Sequence, residues 1–193
     1  FVCDVDERVI PNVVENVTKA QGSAPRVVKD FRRILDDKSI HALVIATPDH
    51  WHALATLYAC QAGNDVYVEK PVCHNVAEGR AMMNAARHTK RVVQAGTQSR
   101  SGAYIQSAIE YLRSGKLGRV LCAKAINSQR RADIGKKTDE PVPSGVDYEL
   151  WLGPAPQRPF NPNRFHYNWH WHWDYGTGDL GNDGVHRLDY CRM

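Results

Sequence analysis

The sequence predicts an α/β fold, a parallel sheet with right-handed crossovers in its first half and a stretch of different rhythm after it. Three observations carry this. Short apolar runs alternate with helix-patterned segments through the first half, the rhythm of a parallel sheet with crossover helices. Polar clusters follow two of those runs, Thr47-Pro48-Asp49 and Glu69-Lys70-Pro71. The rhythm changes after Gly96, and a long polar, Pro-rich stretch runs from Asn127 to Asn163.

Taken in order, Phe1 to Val5 reads as a strand ending at Asp4, and Glu7 to Gln21 as a helix with Pro11 tolerated in its first turn. Asp30 to Leu35 suggests a short helix. Ala42 to Ala46 is a strand stopped by Thr47-Pro48. His52 to Gln61 has helical spacing with Gly63 as its C-terminal stop. Asp65 to Glu69 is the next strand. Asn75, with Glu78 three residues on, is a capping box that opens a helix to about His88. Val92 to Ala95 is a strand closed by Gly96. Tyr104 to Arg113 is a helix with Ile105, Ala108, Ile109 and Leu112 facing inward. Val120 to Ile126 is strand-like, and Phe165 to Trp173 alternates as an extended strand would. The four glycines between 176 and 184 then lead into a last helix with His186 and Asp189.

Composition narrows the function classes. Of 193 residues 42% are hydrophobic and 24% charged, enough for a packed core. The net charge of +4 is mild and dispersed, which argues against nucleic acid as a partner. Apolar runs are far too short to span a bilayer. Five isolated cysteines, with no CxxC pair, favour free buried thiols and a reducing compartment.

Several residues invite chemistry. Strand carboxyl ends form the ligand-binding rim of such a sheet, so Lys70 stands where an acid/base group belongs. Pro71 biases it towards extended geometry, and a lysine partly desolvated in a cleft exchanges protons near neutral pH; a solvated turn lysine is the plain alternative. Asp4 ends a strand as the ribose-binding acid of a dinucleotide fold does, although no GxGxxG occurs here; a turn or cap role is the plain alternative. Asn168 to Trp173 interleaves Trp169, Trp171 and Trp173 with His170 and His172. A metal site with His166 and His186 lacks the usual HExxH or cysteine-pair cues, so no metal is expected. Rings lining a sugar pocket, or packing under the long loop, fit better. Asn182 and His186 are four apart and share a helix face; Asp183 suits a helix cap.

Four stretches, CDVDE at Cys3 to Glu7, VIATPDHWH at Val44 to His52, VEKP at Val68 to Pro71 and GTGDLGNDGVHRLD at Gly176 to Asp189, resemble the Gfo/Idh/MocA oxidoreductases. The resemblance implies a truncated Rossmann-type dinucleotide-binding domain over 1–117 and, over 118–193, the start of an α/β domain with an open, largely antiparallel sheet that often mediates oligomerisation. It implies that both ends of the whole protein lie outside this chain, with the first strand and glycine loop among the missing parts. By itself the chain would then bind NAD weakly and be inactive. Carried over, Asp4 would bind the adenosine ribose and favour NAD over NADP. Thr47, Pro48, His52 and Gln98 would line the cofactor cleft, and Glu69 and Lys70 would approach the nicotinamide ribose. Lys70 and His186 would be catalytic. Tyr167, Trp169, His170, Asn182 and Asp183 would bind substrate. One departure matters: family dehydrogenases carry Asp four residues before the histidine, where this chain has Asn182, and an amide cannot take a proton as a carboxylate does.

The implied activity is hydride transfer between a nicotinamide cofactor and a secondary alcohol or ketone of a sugar or cyclitol. The alternatives are a glycosidase using transient oxidation and elimination, or a non-catalytic cofactor-binding regulator. The expected setting is a cytoplasmic homo-oligomer, with an export signal upstream left open.

Overall fold

A computed structural model describes residues 1–193. Strands β1 (Val2–Cys3) and β2 (Val27–Val28) pair in parallel. Strands β3 (Ala42–Ile45), β4 (Asp65–Glu69) and β5 (Val93–Gly96) form a second parallel sheet in that order. Helices α1 (Ile10–Gln21), α2 (Arg32–Leu35), α3 (Asp49–Ala62) and α4 (Val76–Thr89) connect them.

Local chemistry accounts for the boundaries. Gly63 ends α3 in the left-handed region at φ 90°, where only glycine sits without strain. The Asn75 side chain accepts the Glu78 N–H at 3.0 Å and opens α4. The Glu78 carboxylate reaches back to the His74 N–H at 2.8 Å, one residue before the usual capping-box partner. Small residues on α3, Ala53, Ala55, Ala59 and Cys60, are buried and let the helix lie close to the sheet. They pack with Leu43, Ile45, Val66, Val68 and Met82 into one core.

A second core is aromatic: Tyr148, Trp151, Leu152, Phe160, Phe165 and Tyr175. It is built on α6 (Tyr148–Leu152) and the chain that follows. Val5 packs against it, and an antiparallel bridge joins Asp6 to Val146.

The structure departs from the sequence reading at five places. Val120 to Ile126 forms no strand and is largely exposed; a strand needs a neighbour for its N–H and C=O groups, and this chain supplies none. For the same reason no antiparallel sheet forms within 118–193; both sheets are parallel. Phe165 to Trp173 is not extended. Its centre, His166–Trp171, is a 3-10 helix, in which residues three apart eclipse one another, and the rings of Tyr167 and His170 meet at 4.7 Å. Helix α5 (Ala103–Arg113) buries only Ile109, so the expected apolar face of Ile105, Ala108 and Leu112 lacks a partner here. All five cysteines are free, but Cys122 and Cys191 are exposed rather than buried.

Candidate functional site

The carboxyl ends of β3, β4 and β5 share one rim. Lys70, just past β4, directs its ammonium to Asn182, donating to the backbone carbonyl at 2.8 Å and to the side-chain Oδ1 at 2.7 Å. Asn182 is buried within a π-helical turn, Leu180–Gly184, that runs into α7 (Val185–Arg192). Such turns recur at functional sites. Its amide nitrogen lies 3.5 Å from the Tyr167 hydroxyl. Glu69 turns back, its Oε2 accepting the Lys70 N–H at 3.1 Å. Gly96 on β5 makes room for that carboxylate: a β-carbon there would stand 2.9 Å from Glu69 Oε2.

His186, on the first turn of α7, has a half-buried ring whose Nδ1 finds no partner within the chain. Burial, and secondarily the positive charge of Lys70, hold its pKa below the ordinary imidazole value. The structure thus joins Lys70 to Asn182 across 112 residues, with His186 one helical turn beyond Asn182.

His170 stacks on Trp169 with ring centroids 3.6 Å apart, and its Nδ1 lies 2.6 Å from the Tyr167 carbonyl. Burial lowers its pKa; Asp49 opposes this and Lys70 and Arg131 add to it, so the ring sits among those charges. The other histidines of this region go elsewhere. His172 Nε2 contacts the Asn163 carbonyl at 2.7 Å, and His166 Nε2 lies 3.0 Å from Asp6.

The cofactor-lining residues divide. Thr47 is exposed and Pro48 half-buried at the end of β3, and Gln98 is exposed in the 3-10 turn after β5. Asp4 is half-buried, one carboxylate oxygen accepting the Asp6 N–H at 2.9 Å, and burial raises its pKa. His52 departs from expectation. Its ring is buried, with Nδ1 2.7 Å from the Pro71 carbonyl and Nε2 2.8 Å from that of Thr47. It ties the β3 and β4 rim loops together and presents no ring atom to the cleft.

Four residues escaped the sequence reading. Asp49 is buried at the start of α3; its Oδ2 accepts the Thr177 hydroxyl at 2.8 Å and its Oδ1 has no partner. His50 Nε2 and Trp51 Nε1 each lie 3.0 Å from the Trp151 carbonyl, joining α3 to the aromatic core. Arg131, from the long loop, donates to Asp179 at 2.8 Å and to Asp183, reaches the Tyr167 hydroxyl at 3.4 Å, and lies over the Trp171 ring. The PDHWH run was the signal for the first three, and Arg131 had none beyond its place in the long polar loop.

A family model described as the NAD-binding Rossmann fold of the oxidoreductase family matches residues 7–97, and the model of that family's C-terminal α/β domain matches 130–193. The levoglucosan dehydrogenase of Pseudarthrobacter phenanthrenivorans is 35% identical over 92 residues, 48% of this chain and 24% of that protein. An α-N-acetylgalactosaminidase of Shewanella oneidensis is 24% identical over 128 residues, 64% of this chain and 28% of its own. The chain thus spans about a quarter of the length of these relatives. A levoglucosan dehydrogenase solved with NADH and levoglucosan aligns with 62% of this chain and 31% of its own at 28% identity, TM-score 0.52. Its NADH complex aligns with 98% of this chain and 42% of its own at 21% identity, TM-score 0.62, a likeness of fold. With both of the family's domains matched in order, an NAD-binding Rossmann-type domain and a C-terminal α/β domain, the chain belongs to the Gfo/Idh/MocA oxidoreductases.

Proposed function

We propose that the protein transfers a hydride between NAD and a secondary alcohol or ketone of a sugar or cyclitol, with Lys70 as the proton-transfer group. The observation that carries this is the Lys70 ammonium, held by two oxygens of Asn182 at the carboxyl end of β4; His186 follows on the next turn. The levoglucosan dehydrogenase solved with NADH and levoglucosan supports the substrate class.

The residues present fit a dinucleotide at its two ends. Asp4 keeps one carboxylate oxygen free for ribose hydroxyls, a preference for NAD over NADP. Thr47, Pro48, Glu69 and Gln98 flank the nicotinamide end. When bound, the cofactor supplies or accepts the hydride. Lys70 then gives or takes the hydroxyl proton, and His186 Nδ1, without a partner in the chain, hydrogen-bonds the same or a neighbouring hydroxyl. Tyr167, Trp169 and His170 present ring faces and a hydroxyl suited to a sugar. On the same reading residues 1–117 serve the cofactor and 118–193 the substrate and a homo-oligomer interface, in the cytoplasm. No helix is long and apolar enough to cross a membrane.

Positioned acid/base groups contribute roughly 10²–10⁴-fold to rate. Lys70→Ala in the whole, NAD-loaded protein is expected to lose a factor of that size in kcat on its sugar, read as NADH formation. Near-normal turnover would sink the assignment. The similarity to the α-N-acetylgalactosaminidase keeps a second reading, in which oxidation of the sugar is transient and the glycosidic bond is eliminated. Glycoside cleavage without net NADH would select it.

A further inference from the structure

Lys70 donates only to neutral oxygens, although its surroundings are rich in carboxylates. Asp179 and Asp183 stand on either side of Asn182, which holds the ammonium. Glu69 is the preceding residue, and Asp49 is buried at the start of α3. Each is engaged elsewhere. Glu69 accepts the Lys70 backbone N–H, and Asp49 accepts the Thr177 hydroxyl. Both oxygens of Asp179 and one of Asp183 lie on the Arg131 guanidinium. The remaining titratable groups about Lys70 are His170, His186 and the Tyr167 phenol, with His74 beyond Pro71 near Asp49.

Arg131 is built for this task. A planar guanidinium can bind two carboxylates at once, where a lysine offers a point charge. It is buttressed on four sides: by Asp179, by Asp183, by the Tyr167 hydroxyl, and by the Trp171 ring 5.4 Å from its carbon. Asn127 of the same loop donates to the Asp179 carbonyl at 3.2 Å, so two loop residues grip the turn that carries Asn182.

We propose that Arg131 is a positioning residue for Lys70: by clamping Asp179 and Asp183 it withdraws both carboxylates from the ammonium and leaves Lys70 to the neutral oxygens of Asn182. An ammonium paired with a carboxylate gives up its proton reluctantly, since the loss would leave the carboxylate alone. Arg131 keeps both carboxylates off the ammonium. The inference rests on Lys70 as the acid/base group, but its test needs neither cofactor nor substrate, so the two stand or fall separately.

The experiment is competitive trace acetylation of the 193-residue chain, with Lys70 read by peptide mass spectrometry against exposed Lys116 in the same sample. A carboxylate brought beside an amine holds its proton tighter by roughly one to three log units. Lys70 of Arg131→Gln is therefore expected to label about tenfold or more slowly than wild type, and the triple variant with Asp179→Asn and Asp183→Asn to recover the wild-type rate. Asp179→Asn with Asp183→Asn, Arg131 being kept, is expected to label Lys70 as the wild type does. Lys70 of Arg131→Gln labelling as fast as wild type or as Lys116, which also covers its failure to fold, would overturn the proposal. So would a triple variant that stays slow, or a double variant whose Lys70 labels much faster than wild type.

Discussion

The junction between the two cores makes a prediction about acid. His50 is buried between α3 and the aromatic core, its Nε2 3.0 Å from the Trp151 carbonyl and its ring edge-on to Trp151 and Tyr175. Burial depresses its pKa from 6.5 to about 4. In the unfolded chain the ring protonates as pH falls through 6.5, whereas in the folded chain it resists until about 4. Stability is therefore fully present above the unfolded value and is lost between those two limits. A tenfold change in proton affinity is worth about 1.4 kcal/mol, so the loss is about 3 kcal/mol. His170 and His186 are depressed too and add to it, while Asp4 and Asp49, raised by burial, act with the opposite sign. A comparison with His50→Gln, which keeps an N–H donor but cannot titrate, cancels those contributions. Urea unfolding followed by tryptophan fluorescence gives the stability of both chains at each pH. The wild-type chain is expected to lose about 3 kcal/mol relative to His50→Gln between about pH 7.5 and pH 4. A difference that stays flat over that range would refute a neutral His50 buried at the junction.

Two further substitutions test the local geometry. Gly153→Ala should destabilise by about 3 kcal/mol or more, because the position has φ 48° and a β-carbon would fall 2.0 Å from the Trp51 ring; an unchanged urea midpoint would show that α6 does not pack on Trp51 this way. Asn75→Ala should cost about 1 kcal/mol through loss of the α4 cap, and Asn75→Asp should restore it, both read from the same denaturation curves.

The elements legible in the sequence are those whose determinants are local. Asp65 to Glu69 shows its strand directly, and Asn75 with Glu78 marks the start of α4 by cap chemistry alone. Where a determinant lies far along the chain, local pattern misleads. Val120 to Ile126 has strand composition but no partner, and the alternating Trp and His of 169–173 suit a strand as well as the 3-10 helix that forms. The VEKP motif drew attention to Lys70, but its acceptor lies 112 residues on, and only the family resemblance linked the two. Arg131 reads in sequence as one more loop cation beside Arg130; only the fold shows two carboxylates on it.

That distribution follows from how the site is assembled. Neither core contains it. Lys70 belongs to the sheet, while Asn182 and His186 arrive with the chain that follows the aromatic core. Their meeting therefore depends on the fit of the two cores, which His50, Trp51 and Asp6 determine. His50 and Trp51 bind the carbonyl end of α6. Buried Asp6 holds Arg8 at 2.6 Å and His166 at 3.0 Å, at the entrance to the 3-10 helix that carries Tyr167 and His170. The backbone N–H of the same Asp6 is accepted by Asp4. The group proposed for the adenosine ribose and the 3-10 helix that carries the rings proposed for the sugar are thus linked through one residue, Asp6, by its backbone N–H on one side and its carboxylate on the other. A shift of one core on the other would move Asn182 away from Lys70, and with two hydrogen bonds under 3 Å on one ammonium even a displacement of about an ångström would break that contact.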